Sequence, residues 1–113
     1  MEELLGTEVE VVVDRPLGSR SPNHGTVYPI NYGFLPKTFA GQKAVKAYVV
    51  GEFEPIERFE GYVVAVVRRM NESADKVVVA KERGKYTTEQ IEALIEFKER
   101  HHHSRVVSEP GKT

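Results

Sequence analysis

The chain contains no cysteine, which excludes disulfides and thiolate metal sites and fits a reducing compartment. No apolar run approaches the roughly 20 residues needed to span a bilayer, and the N-terminus carries no basic segment followed by a hydrophobic one. No membrane partner is therefore expected, and the expected compartment is the cytoplasm. An excess of one charge is also missing: 16 Lys and Arg stand against 17 Asp and Glu, a formal net charge of -1. That balance offers no global electrostatic argument for a nucleic-acid partner, so the expected partner is a small molecule. At 113 residues the chain supports one domain with a single core. It shows no internal repeat and no low-complexity tract.

Several short apolar stretches are present. Glu8 to Val13 alternates and then turns fully apolar, as a strand does on entering a core. Arg15 to Gly25 is dense in turn formers and reads as a long exposed loop. Thr26 to Ile30 reads as a short second strand and Val45 to Val50 as a third. Gly51 to Gly61 reads as a loop leading to a fourth strand, Tyr62 to Arg68, whose run of β-branched residues implies burial on both faces or a barrel wall. Asn71 to Asp75 is a polar turn, and Lys76 to Ala80 returns as a fifth strand. Thr87 with Gln90 three residues later fits a capping box, and Ile91, Leu94 and Ile95 share one helix face, with Phe97 near its edge. The expected fold is mainly β, of the α+β class: a small five-stranded OB-like barrel with a C-terminal helix packed on it. Residues 1–107 form the expected domain and residues 108–113 a frayed tail.

The most unusual stretch is Tyr28-Pro29-Ile30-Asn31-Tyr32-Gly33-Phe34-Leu35-Pro36-Lys37-Thr38. Two prolines, a glycine and three aromatic residues in so few positions suit neither a regular helix nor a central strand, and read as a rigid, aromatic-packed bend. This segment resembles a signature of the soluble family I inorganic pyrophosphatases, and the resemblance extends over roughly Val11 to His102. It implies a distorted five-stranded barrel of the OB type covered by a C-terminal helix, Mg²⁺-dependent hydrolysis of diphosphate to two phosphates, and assembly into homo-oligomers. The longer enzymes of the family carry a hairpin, between the positions of Asp14 and Arg20, that supplies a lysine and a glutamate; both are missing from this sequence.

Residue by residue, the resemblance assigns phosphate contacts to Arg20, Tyr32 and Lys76, with Tyr32 and Lys76 as the catalytic pair, and metal contacts to Asp14, Glu72 and Asp75. The sequence departs from the family in its acidic half. Gly41-Gln42-Lys43-Ala44-Val45-Lys46-Ala47-Tyr48 holds no carboxylate, so Gln42 and Lys46 stand where the family keeps metal-binding aspartates. Ala74 takes the place of a further one, Asp75 is displaced by one residue, and the family's helical Tyr-Lys pair becomes His101-His102.

These departures bear on activity more than on fold. Hydrolysis of diphosphate needs Mg²⁺ ions to neutralise the anion and activate water, each ion held by oxygen ligands in near-octahedral geometry. A lysine in place of a carboxylate removes a ligand and adds a charge, and two like charges about 4 Å apart repel by about 4 kcal/mol at an effective dielectric near 20. Lys46 either offers that charge to an anion or points outward on its strand, with Val45 and Ala47 facing in. Two functions follow. One is a Mg²⁺-dependent pyrophosphatase with a degraded metal site; the other is a non-catalytic module on the same fold that binds phosphate, pyrophosphate or a protein partner.

Weaker candidates surround these. His101, His102 and His103 project about 100° apart on a helix and cannot all face one ion, so they read as a solvated helix end. His24 lies in the Pro/Gly-rich loop with Arg20, either touching an anion or facing solvent. Phe53, Ile56 and Phe59, in a glutamate-rich loop, read as an apolar contact site for a homo-oligomer.

Overall fold

In the computed structural model, residues 2–22, 25–36, 44–70 and 75–108 are described. His24, Gln42, Glu72 and Ala74 lie outside them. Five strands form the barrel: β1 Glu8–Arg15, β2 Asn31–Leu35, β3 Val45–Val49, β4 Arg58–Arg69 and β5 Lys76–Ala80. They pair in the order β1-β2-β3-β5-β4, and β4 pairs back with β1 to close the ring. The β3–β5 pair is parallel and the others are antiparallel.

Period-two alternation divides the barrel side chains between two layers. Val11, Leu35, Val45, Ala47, Val49, Val77 and Val79 pack in one cluster, the barrel interior. The intervening side chains, including Tyr32, Tyr48, Val67, Val78 and Ala80, form a second cluster with Ile91 and Ile95 of the helix. That helix, α1, spans Thr88–Glu99. Its capping box is complete: Gln90 N donates to Thr87 Oγ1 at 3.1 Å, and Thr87 N donates to Gln90 Oε1 at 2.8 Å. A cap of this kind contributes about 1 kcal/mol. Ile91 and Ile95 are buried on the barrel and Leu94 packs at the edge, as their spacing predicts. No helix among the described residues is long and apolar enough to cross a membrane.

The structure corrects four local expectations. Thr26 to Ile30 is not a strand: Val27 makes a single bridge to Arg20, and the chain bends at Pro29 before entering the barrel. The second strand instead runs through the aromatic motif, as Asn31–Leu35, paired to β1 on one side and β3 on the other. This central position is open to the motif because Pro29 and Pro36 both lie outside the paired residues. The fourth strand begins four residues earlier than Tyr62, at Arg58, because Phe59 to Tyr62 pair with β1. Finally, Ser104–Ser108 forms a further strand, β6, on the free edge of β4. Of the three apolar residues expected at a contact site, only Phe53 is fully presented, whereas Ile56 and Phe59 pack against the barrel interior.

Asn31 secures the entry to β2. Its side chain is fully buried; Oδ1 accepts from Leu17 N at 2.9 Å and Ile56 N at 3.3 Å, and Nδ2 donates to Glu54 O at 3.0 Å. One side chain thus ties two loops to the strand that carries Tyr32. Two residues on, Gly33 faces β1 so closely that an added Cβ would lie 1.8 Å from the Val12 carbonyl oxygen. Backbone cannot yield there as a side chain can, so Gly33→Ala is expected to destabilise the barrel by about 3 kcal/mol or more. Urea denaturation checks this; a midpoint within error of the parent would mean that β1 and β2 are not in such close contact.

Candidate functional site

The outer layer of the barrel gathers charge where α1 ends. Lys76 opens β5 on the same face as Val78 and Ala80, and in the parallel pairing it stands beside Lys46 of β3. Arg69 closes β4, two residues beyond Val67 on the helix-facing side. Glu99 closes α1, where the spacing Ile91, Ile95, Glu99 brings it to the buried face. Arg69 and Glu99 meet in a two-pronged ion pair, Nε to Oε1 and Nη2 to Oε2, each at 3.0 Å. The Tyr48 hydroxyl donates to Oε2 of the same carboxylate, and the Lys76 ammonium lies 3.8 Å from it. These side chains are almost dry: 4% exposed for Arg69, 7% for Glu99 and 9% for Lys76.

An aromatic floor lies under the cations. Tyr28, Tyr32 and Tyr48 pack in series, with centroids 5.6 Å and 4.9 Å apart, and Phe97 of α1 stands edge-on to Tyr28 and Tyr48. The Lys76 ammonium is 5.0 Å from the Tyr32 centroid and 5.5 Å from that of Tyr48. The Lys98 ammonium is 5.2 Å from Tyr32 and 5.7 Å from Tyr28. These are distances at which the negative face of a ring attracts a cation. Beside them, Ser21, Thr26, Tyr28, Phe97, Lys98 and His101 line a small depression.

The titration behaviour follows from this crowding. Burial, then Arg69, pushes the Lys76 ammonium down from 10.5 to about 7; Glu99 opposes the shift, while Lys98 and Lys46 add to it. For Glu99, burial pushes upward, but the Arg69 and Tyr48 hydrogen bonds and the charges of Lys76 and Arg69 hold the carboxyl below its usual range. Burial likewise raises the Tyr32 and Tyr48 hydroxyls, so both remain neutral donors.

The residues named from sequence are distributed unevenly around this cluster. Tyr32 and Lys76 are at its centre, and Lys46 stands exposed at its rim, with Val45 and Ala47 turned into the barrel. Asp14 is exposed at the end of β1, near enough to add to the upward push on Tyr32. Asp75 is engaged elsewhere: Oδ1 accepts from Arg69 N at 3.2 Å and Oδ2 is 3.6 Å from Arg68 Nε. Arg20 turns its guanidinium to the Gly25 carbonyl at 3.1 Å. His101, His102 and His103 are exposed beyond the helix, and the helical lysine over Tyr32 is Lys98, one turn earlier. Arg69, Glu99, Tyr48 and Lys98 were not singled out from sequence.

This donor set does not fit Mg²⁺, which requires several oxygen ligands in near-octahedral array. Among the described residues no three His, Cys, Asp or Glu side chains come together as a metal site, and no buried side-chain nitrogen or oxygen lacks a partner. The one carboxylate inside the cluster, Glu99, is already held by Arg69, Tyr48 and Lys76. Of residues 37–43 and 71–74, which border β3 and β5 in the chain, only Glu72 is acidic.

A lysine whose folded pKa is depressed favours the unfolded state wherever the unfolded chain holds the extra proton. Stability should therefore climb with pH between about 7 and 10.5 on account of Lys76 and be indifferent to it below that window. Lys76→Met removes the climb and, with Glu99 still held by Arg69 and Tyr48, is expected to stabilise the fold by about 1–2 kcal/mol at neutral pH. Thermal melts of both proteins across that range check the slope; an unchanged slope would place the Lys76 ammonium in water.

No protein-family model matches the chain, and no curated protein matches it in sequence. Solved structures do match in shape. The inorganic pyrophosphatase of Ehrlichia chaffeensis superposes with a TM-score of 0.68 at 17% identity, covering 92% of this chain and 87% of that one. The enzyme of Thermus thermophilus gives 0.56 at 18% identity, covering 89% and 80%. That of Neisseria gonorrhoeae gives 0.56 at 19% identity, covering 81% and 72%. At such identities the likeness is one of architecture: this chain has the fold of the inorganic pyrophosphatases, a closed mixed barrel of five strands with one helix against it.

Proposed function

We propose that this protein binds a phosphate-bearing small anion, with pyrophosphate as the reference ligand, and does not hydrolyse it. The observation that carries the reading is Lys76: an ammonium held in a nearly dry, aromatic site, with Arg69, Lys46 and Lys98 as its neighbours and one carboxylate among them. A surplus of buried like charge destabilises a fold, and a bound anion relieves it. Exposure is graded in a useful way, from Lys46 in water through half-buried Lys98 to buried Lys76. An incoming anion can therefore meet charge before it is desolvated. Tyr32 remains protonated and can donate to phosphate oxygens, whereas the Tyr48 hydroxyl is already committed to Glu99. The pyrophosphatase fold of the solved neighbours supports diphosphate as the ligand class.

The hydrolytic reading, which that likeness favours, assigns metal to Asp14, Glu72 and Asp75. Asp75 is already engaged by Arg69 and Arg68, and Asp14 is exposed at the end of its strand. The cation-rich cluster suits anion capture better than metal-assisted attack.

Isothermal titration with sodium pyrophosphate tests the binding reading. Saturable binding is expected, weakened about tenfold by Lys46→Ala through loss of one charge-assisted contact. It should be unchanged by Lys81→Ala, which removes an exposed lysine just beyond β5. Absence of binding, or equal effects of the two substitutions, would contradict it.

A further inference from the structure

We infer that the anion this site takes is the metal-free form, and that Mg²⁺ opposes binding. The inference rests on the phosphate-binding reading above and adds the ionic form of the ligand. Pyrophosphate in the presence of Mg²⁺ is largely metal-complexed, and a site that recognises the complex must place oxygen ligands or open, uncharged space where the metal rides. This site gathers cations instead. Lys46 and Lys76 stand side by side in the parallel β3–β5 register, and Lys76 and Lys98 approach the same Tyr32 ring at 5.0 and 5.2 Å. Arg69 backs them with its guanidinium committed to Glu99 through both prongs.

Among the described residues, Glu99 and Asp75 are poorly placed to offset that charge towards a metal, and Asp14 stands exposed at the end of β1. Glu99 Oε2 already receives the Tyr48 hydroxyl and the Arg69 Nη2 and lies 3.8 Å from Lys76 Nζ, so recruiting it would strip a buried guanidinium of its counterion. Asp75 is tied to the backbone of Arg69 and to Arg68. A divalent ion arriving on the ligand would meet like charge at the positions of Lys46, Lys76 and Lys98, whereas the bare anion meets a surplus of opposite charge over the carboxylates of Glu99 and Asp14. The protein's own cations thus occupy the electrostatic role that Mg²⁺ plays for a metal-dependent hydrolase, and metal and protein compete for the same phosphate oxygens.

The test is calorimetric titration with sodium pyrophosphate in EDTA and again in excess MgCl₂ at matched ionic strength, on the parent protein and on Lys46→Asp. The parent is expected to bind in EDTA and to lose about tenfold or more in apparent affinity with MgCl₂. Lys46→Asp, which returns a carboxylate to the rim, is expected to bind more weakly in EDTA and to lose much less on adding MgCl₂. Binding by the parent that is equal or tighter with MgCl₂ overturns the inference while leaving the phosphate-binding reading intact. Binding in neither condition overturns both. An equal Mg²⁺ penalty in the two proteins overturns the part of the inference assigned to Lys46, because the rim charge would then not be what separates the bare anion from its complex.

Discussion

The ion pair between Glu99 and Arg69 is the interaction on which the rest of the site depends. It joins the last residue of α1 to the last residue of β4, and through the Tyr48 hydroxyl it reaches β3. Burying such groups is costly unless every lone pair and proton is matched, and here the two-pronged geometry with a third donor achieves that match. Once α1 is held at this end, Phe97 and Lys98 are set over Tyr28, Tyr32 and Tyr48. Lys76 is then enclosed between the carboxylate and the rings. The capping box at the helix start and the Ile91 and Ile95 contacts fix the other end, so the helix has little freedom to slide along the barrel.

Charge and stability pull against each other at Lys76. Arg69 is neutralised by Glu99, but Lys76 has only a more distant share of the same carboxylate and is surrounded by further cations. Hydrophobic packing from Val78, Ala80 and the helix isoleucines tolerates this because only one residue of β5 bears the cost. Strain concentrated in one titratable group at the edge of an accessible face is the pattern expected of a ligand site rather than of a packing element. Elsewhere the barrel is conventional, with β-branched residues filling the interior and charged residues in water.

Much of this was legible in the chain, for reasons that can be named. The bounds of β3 and β5, the capped helix and its buried isoleucines follow from local periodicity, which tertiary contacts reinforce rather than oppose. Motif resemblance singles out Tyr32 and Lys76, and the fold brings the two together. Arg69 and Glu99 were open to the same reasoning: Val67 to Arg69 and Ile91 to Ile95 to Glu99 continue their elements' buried faces, so a buried cation and a buried anion were due to meet. Strand β6 was not legible, because Ser104 to Ser108 is short and mixed and becomes a strand only by pairing with the free edge of β4. The placement of β2 was obscured by its flanking prolines, which end the strand instead of interrupting it. Asp75 looked like a ligand in sequence, yet its carboxylate closes the β4–β5 hairpin on Arg69 and Arg68.

On the reading proposed above, a fold shared with hydrolases presents, among the described residues, cations where catalysis by metal would need carboxylates. Phosphate release from pyrophosphate in the presence of Mg²⁺, followed over hours at micromolar protein, tests it most directly. No release above the protein-free control is expected. Turnover at enzymic rates of about 1 per second or faster, abolished by Lys76→Ala or Tyr32→Phe, would contradict it and return the site to metal-dependent hydrolysis.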